Sequence, residues 1–203
     1  MMERVGGLRL MLFDRTCRGG RFRPGLSHAW AAGGRLYHRL GRIDRWYGAA
    51  SWAEGLDWLI DASREQPIAE IQFWGHGRWG GLWIEDELLQ VDALSPGQHH
   101  HERLATIKTR LTPQSLWWFR SCDVFGTETG HQFARAWTRF FGCRAAGHTY
   151  TIHMLQSGLH VLGPDEEPTW SVTEGVTPGL DHANTSSVFA PNTISFLHGR
   201  VRS

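Results

Sequence analysis

Apolar residues along this chain follow two spacings that take turns. Short unbroken runs alternate with stripes that repeat every three or four positions. The run Leu8 to Phe13 ("LRLMLF") ends at Asp14 and predicts a first strand, followed by a loop of Gly, Arg and Pro. Residues 27–40 ("SHAWAAGGRLYHRL") set Trp30, Leu36, Tyr37 and Leu40 at helical spacing, against which Gly33 and Gly34 argue. Residues 43–48 ("IDRWYG") predict a second strand. The segment "SWAEGLDWLIDAS" then carries the strongest helical signal: Ser51 and Glu54 form a capping-box pattern, and Trp52, Leu56, Leu59 and Ile60 share one face.

A third strand is predicted over 68–74, then a glycine-rich turn and a short "LWI" segment suited to a small hairpin. "ERLATIKTRL" places Leu104, Ile107 and Leu111 on one helical stripe that Pro113 should end. Leu116 to Phe119 follow as a fourth strand without polar alternation, the mark of a central strand covered on both faces. Phe133, Ala134, Trp137 and Phe141 define a helix over 128–141, and a fifth strand is expected near 143–149. This order predicts an α/β three-layer sandwich with a mostly parallel sheet. The chain reads as a single domain, 1–203, with a core over about 8–163. The segment 164–203 is rich in Pro, Gly, Ser, Thr and Asn and is expected to wrap that core as loops, with only "TISFL" resembling a strand.

Composition narrows the function classes. With 203 residues, 41% hydrophobic and 20% charged, the chain can bury one substantial core. The 21 Lys and Arg against 20 Asp and Glu leave a net charge of +1 and no basic run, which gives no case for a nucleic-acid or membrane-surface partner. Leu10 to Phe13 is the longest apolar stretch near the N-terminus, too short for a signal-peptide core or a membrane span, so a cytoplasmic protein is expected. Cys17, Cys122 and Cys143 form no CxxC pair and no even framework and are read as reduced thiols. Most of the eleven tryptophans are expected in or beside the core.

Chemistry concentrates where two apolar runs break. "IQFWGHG" delivers His76 and "LWWFRSC" delivers Cys122, both at the carboxyl ends of predicted strands, where open α/β sheets form their sites. If the two strands are neighbours, both side chains reach one edge of the sheet. Gly75 and Gly77 flank the histidine, and the Gly77 N–H, beside that of Cys122, is suited to stabilising an oxyanion. The helix expected after Cys122 offers the positive end of its dipole to a thiolate.

In these two blocks the chain resembles the caspase-like clan of cysteine peptidases, which includes caspases, legumains, gingipains, separases and several bacterial caspase-like domains. Members carry an apolar strand ending in His-Gly and, later, an apolar strand ending in the nucleophilic cysteine. The separation from residue 76 to residue 122 is close to the roughly 50 residues of caspases. The resemblance spans about residues 8–150 by strand order. It implies a caspase-like fold, Cys122 as nucleophile, His76 as proton-transfer partner and Gly77 as oxyanion-hole donor. Arg120-Ser121-Cys122-Asp123-Val124 stands where caspases carry their Q-A-C-[RQG]-G signature, and Gly126 and Gly130 in "CDVFGTETG" are closer to the bacterial caspase-like domains. The resemblance further implies that the loop after the first strand, beginning "DRTCRGG", lines the substrate pocket. Asp14, with Asp123 beside the nucleophile, is then expected to give an acidic pocket for Lys or Arg. Arg15 and Arg18 are the countervailing charges.

The expected activity is therefore that of a cysteine endopeptidase on a peptide or protein substrate, with no cofactor. The competing reading is a catalytically silent caspase-like domain that binds a regulatory protein partner. Arg120 and Val124, where glycines would be needed, argue against a hydrolase-type nucleophile elbow. A second His-Gly, His198 and Gly199, follows the cysteine rather than preceding it. The run His99 to His101 lies in a polar stretch after Pro96 and Gly97, where solvent exposure is expected, and Cys143 and His148 fall on opposite sides of one strand, so no metal site is expected.

Overall fold

The computed structural model describes residues 7–20, 23–177, 179 and 182–199. Both ends of the domain expected over 1–203, and part of the Gly, Arg and Pro loop after the first strand, lie outside them. Six strands form the central sheet: β1 (Leu8–Asp14), β2 (Arg45–Ala49), β3 (Ile68–Trp74), β7 (Leu111–Arg120), β8 (Arg144–His148) and β9 (Leu159–Leu162). A three-stranded meander, β4 (His76–Arg78), β5 (Gly81–Ile84) and β6 (Glu87–Leu89), branches off after β3. The central order is β9-β8-β7-β3-β1-β2, parallel throughout except that β9 runs antiparallel to β8. The helices are α1 (Leu26–Arg39), α2 (Trp52–Ala62), α3 (His101–Lys108) and α4 (Thr127–Phe141).

Successive strand residues divide between the two faces. Leu10, Leu12, Ile71, Phe73, Trp117 and Phe119 join α2, α3 and α4 in the larger core, through Trp52, Leu56, Leu104, Phe133 and Trp137 among others. Met11, Phe13 and Trp74 meet α1 through Tyr37, and Leu116, Trp118 and Ala146 meet Leu159, Val161 and Ile194. Unbroken apolar runs arise because both faces are covered. Among the described residues no helix is long and apolar enough to cross a membrane.

The structure departs from expectation at three places. The stripe through Leu111 ends earlier: α3 stops at Lys108, and Leu111 already pairs with Ile68 as the first residue of β7. Register then jumps so that Glu70 faces Leu116, which leaves Pro113 in a bulge where its missing N–H costs nothing. Ser115 closes that bulge, accepting from the Thr112 N–H at 2.9 Å and donating to the Ile68 carbonyl. Second, α1 runs through Gly33 and Gly34. A Cβ at Gly33 would lie 2.6 Å from the Trp74 ring and 2.9 Å from Phe196, so the absent side chain is what lets α1 approach the aromatic sheet face. Third, β9 closes the far edge, unforeseen because its four residues follow a loop and pair backwards.

The cap of α2 is as expected: the Ser51 hydroxyl accepts from the Glu54 N–H at 3.2 Å, and the Glu54 carboxylate reaches back to the Ala50 N–H at 2.7 Å.

Candidate active site

β3 and β7 are neighbours, so the residues that leave their carboxyl ends emerge side by side, with Trp74 opposite Arg120. Beyond Trp74 the chain turns through Gly75 into β4, carrying His76 into solvent-accessible space, where its ring meets Trp30 of α1 edge-on at 5.7 Å. Beyond Arg120 it turns through the buried Ser121 to the half-buried Cys122. His76 and Cys122 line one cavity of about 480 Å³, on the α1 side of the sheet, together with Leu26, Trp30, Arg120, Met154 and Phe196. The two loops also touch: a Cβ on Gly77 would lie 2.6 Å from the Ser121 Cβ and 2.9 Å from the Cys122 carbonyl oxygen. Only glycine lets these backbones approach so closely.

The loop after the cysteine is strapped on both sides. The N–H groups of Trp79 and Gly80 donate to the carbonyls of Asp123 and Val124, at 3.0 and 2.8 Å. In the other direction the N–H groups of Asp123 and Phe125 donate to Tyr150 and His148, both at 3.0 Å. These straps hold Asp123 at a φ of 37° and Trp79 at 42°, in the left-handed region that non-glycine residues rarely adopt. The meander and the exit of β8 thereby fix the position of Cys122.

Electrostatics around the thiol differ from expectation. Burial pushes the Cys122 pKa up, and the adjoining Asp123 carboxylate adds to the rise. A backbone hydrogen bond from Ile152 opposes it. The helix expected to favour the thiolate, α4, starts only at Thr127, five residues beyond Cys122. Asp123 is itself pushed up to about 7 by burial, against the pull of Arg78.

The acidic pocket expected from Asp14 and Asp123 is not what the fold assembles. Asp14 is buried, and its carboxylate accepts from the Thr16 N–H and hydroxyl at 2.7 and 2.6 Å. Asp123 is buried under the strapped loop, and among the described residues neither of these two, nor any other Asp or Glu, lines the cavity shared by His76 and Cys122. Instead the cavity holds a group that sequence reasoning passed over as part of a strand. Arg120 is 4% exposed and sits among the rings of Trp74, Trp118, Tyr37 and Phe196, with centroids 4.6 to 5.4 Å from its guanidinium carbon. The signal was a charged residue in the last place of an otherwise apolar run.

Within the histidine run His99 is exposed as expected, and His100 is not. His100 is 4% exposed, not solvated, because the turn at Ser95–Gly97 folds it back onto β6, where its Nε2 lies 2.7 Å from Glu87. Donor atoms of Glu87, His99 and His100 lie within 4.8 Å of one another, the one grouping among the described residues with the composition of a metal site. Glu87 is already engaged by the Trp52 N–H at the start of α2, at 3.0 Å. His148 is buried in β8, bonded through Nδ1 to the Ser157 carbonyl and drawn down to about 3 by burial, so it stays neutral.

In comparisons with known proteins, the chain matches no protein-family model and no curated protein.

Proposed function

We propose that the protein is a cysteine endopeptidase of caspase-like fold, acting in the cytoplasm on a peptide or protein substrate through Cys122 and His76. The observation that carries this reading is convergence: the two side chains line one cavity at the ends of adjacent parallel strands, with Gly77 packed against the backbone of the cysteine. Three free cysteines fit a reducing compartment.

In this mechanism His76 takes the Cys122 proton as Sγ bonds to the substrate carbonyl carbon. The developing oxyanion is held by the N–H groups of Gly77 and Cys122. As the carbon–nitrogen bond breaks, His76 returns the proton to the leaving amine. Water then adds to the thioester with His76 as base, releasing the acid and restoring the thiol. A thiol whose pKa is raised stays protonated at rest, so the histidine must abstract its proton during the attack.

That raised thiol pKa is also the observation that favours a second reading, a catalytically silent caspase-like domain using the same cavity to bind a regulatory partner. The two separate experimentally. Incubated with peptides bearing an electrophilic carbonyl, the native protein should be labelled at Cys122, and His76→Ala should slow labelling by about 10²- to 10⁴-fold. Labelling of Cys17 or Cys143 in place of Cys122, or a rate indifferent to His76, removes the peptidase reading.

A further inference from the structure

Away from the cavity, two separate stretches of chain bring metal-ligating side chains together. Glu87 comes from β6, the outer strand of the meander, and His99 and His100 come from the turn that leads into α3. One donor atom from each residue lies within 4.8 Å of the other two. Neighbouring side chains of an extended strand leave on opposite sides. His100 instead has φ −104° and ψ −1°, so the chain turns there and the two imidazoles stay together, with centroids 4.5 Å apart.

Glu87 is held from behind. Its Oε2 accepts from the Trp52 N–H at 3.0 Å and its carbonyl accepts from the Trp52 indole N–H at 3.1 Å, which leaves Oε1 to face His100 Nε2 at 2.7 Å. Ligating carboxylates are oriented by such outer hydrogen bonds. His100 is 4% exposed and its Nδ1 is buried with no partner, so a single hydrogen bond holds a ring that is costly to bury. His99 is exposed, and among the described residues no hydrogen bond fixes its ring, so it can change rotamer at little cost. A tetrahedral ion with bonds of about 2.0 Å sets its ligand atoms roughly 3.3 Å apart. Glu87 Oε1 and His100 Nε2 are closer because a proton lies between them. An ion in the proton's place opens that pair by about half an ångström, and a turn of His99 closes the third side.

We propose that Glu87, His99 and His100 form a binding site for Zn²⁺. Two imidazoles and one carboxylate suit a cation of borderline softness, whereas Ca²⁺ and Mg²⁺ require sets of oxygen ligands. Three protein ligands leave the fourth position to water, which the exposed His99 side admits. The ion joins the meander to the entry of α3 and, through Trp52, to the start of α2. Because β6 pairs with β5 and β5 with β4, this clamp bears on the strand that begins at His76. The site shares no residue with the cavity and is independent of the peptidase reading.

Calorimetric titration of the full, metal-free chain with ZnCl₂ tests the assignment, carried out on Cys122→Ala so that the thiol offers no competing ligand. One Zn²⁺ should bind per chain and raise the thermal unfolding midpoint. His99→Ala removes an exposed side chain that the fold does not need. In that background it should weaken binding by at least about 100-fold, more than the loss of an outer partner costs, and cancel the rise in midpoint. Glu87→Gln, which keeps an acceptor for the Trp52 N–H, should weaken binding comparably. His101→Ala changes the next histidine of the run, whose Nδ1 already faces the Leu94 carbonyl at 2.9 Å, and should bind Zn²⁺ as its parent does. Co²⁺ in the site should show no thiolate-to-metal charge-transfer band, since no ligand is sulfur. Failure to bind Zn²⁺, binding that survives His99→Ala, or a thiolate band from Cys17 or Cys143 overturns the site.

Discussion

Trp117 and Phe119 point to one face of the sheet, Trp118 and Arg120 to the other, and the two faces meet different company. On the first, α2, α3 and α4 close over a continuous set of rings: Phe119 meets Phe133 and Trp137 edge to face at 5.3 Å, and Trp137 meets Phe141 at a tilt at 4.9 Å. On the second, α1 and the segment around Ile152 to Phe196 leave a cavity, a buried cation and exposed apolar side chains at Leu26, Leu36 and Met154. The first face maximises burial; the second leaves apolar side chains exposed and a buried guanidinium hydrogen-bonded to Tyr37, Gln156 and the Phe196 carbonyl. Alternate residues of one strand therefore separate stability from recognition, and substitutions on the two faces should separate in the same way.

The largest effects should fall on opposite observables. His76→Ala and Cys122→Ala should each reduce peptide hydrolysis by about 10³-fold or more, the double variant no further, while unfolding midpoints stay within a few degrees of wild type. Trp137→Ala, in the closed core, should cost about 3–5 kcal/mol of stability in urea titrations and leave the activity of the remaining folded fraction unchanged. Activity lost in proportion to stability in both variants would erase the distinction between the faces.

Gly33→Ala tests the contact on which the cavity depends. The new methyl would press on the buried ring of Trp74 and on Phe196, so α1 must move outward. A loss of about 1–3 kcal/mol is expected, with KM for peptides raised more than kcat is lowered. Unchanged stability and KM would show that α1 yields freely there.

A smaller effect concerns pH. Asp123, raised from its ordinary 3.8 to about 7, binds a proton more tightly when folded, so it lowers stability as pH rises from about 4 to about 7. His148, lowered from 6.5 to about 3, binds a proton less tightly when folded, so its contribution is lost as pH falls below about 6.5. The two slopes oppose each other over pH 4 to 6.5. Asp123→Asn should remove the first and leave a stability that climbs with pH across that range, by on the order of 2–3 kcal/mol, in urea titrations at stepped pH. Identical pH profiles for variant and wild type would refute the assignment.

The smallest effect is expected at the cavity rim. Met154 is 66% exposed and lines the cavity, so Met154→Ser should change stability by no more than about 0.5 kcal/mol while weakening peptide binding. Stability loss well beyond that would return Met154 to the core.

Local pattern determined much of this molecule. The Ser51 cap, the apolar strands and the helical stripes of α2 and α4 follow from spacing and backbone hydrogen-bonding needs within a few residues. So did the emergence of His76 and Cys122 at strand ends, since each run visibly breaks there. What the pattern could not determine is which distant groups meet. Leu111 fits a helical stripe as well as a strand, and only the Ile68 backbone decides between them. Asp14 was free to face a pocket until Thr16 engaged it. Arg120 owes its burial to Tyr37, Gln156 and Phe196, far along the chain on either side, and His100 owes its burial to Glu87. The periodicity of a strand gives the face on which a side chain leaves. Only the packed chain decides whether a charge on that face meets water, a partner or an empty cavity, because solvation and pairing are set by contacts with no counterpart in local sequence.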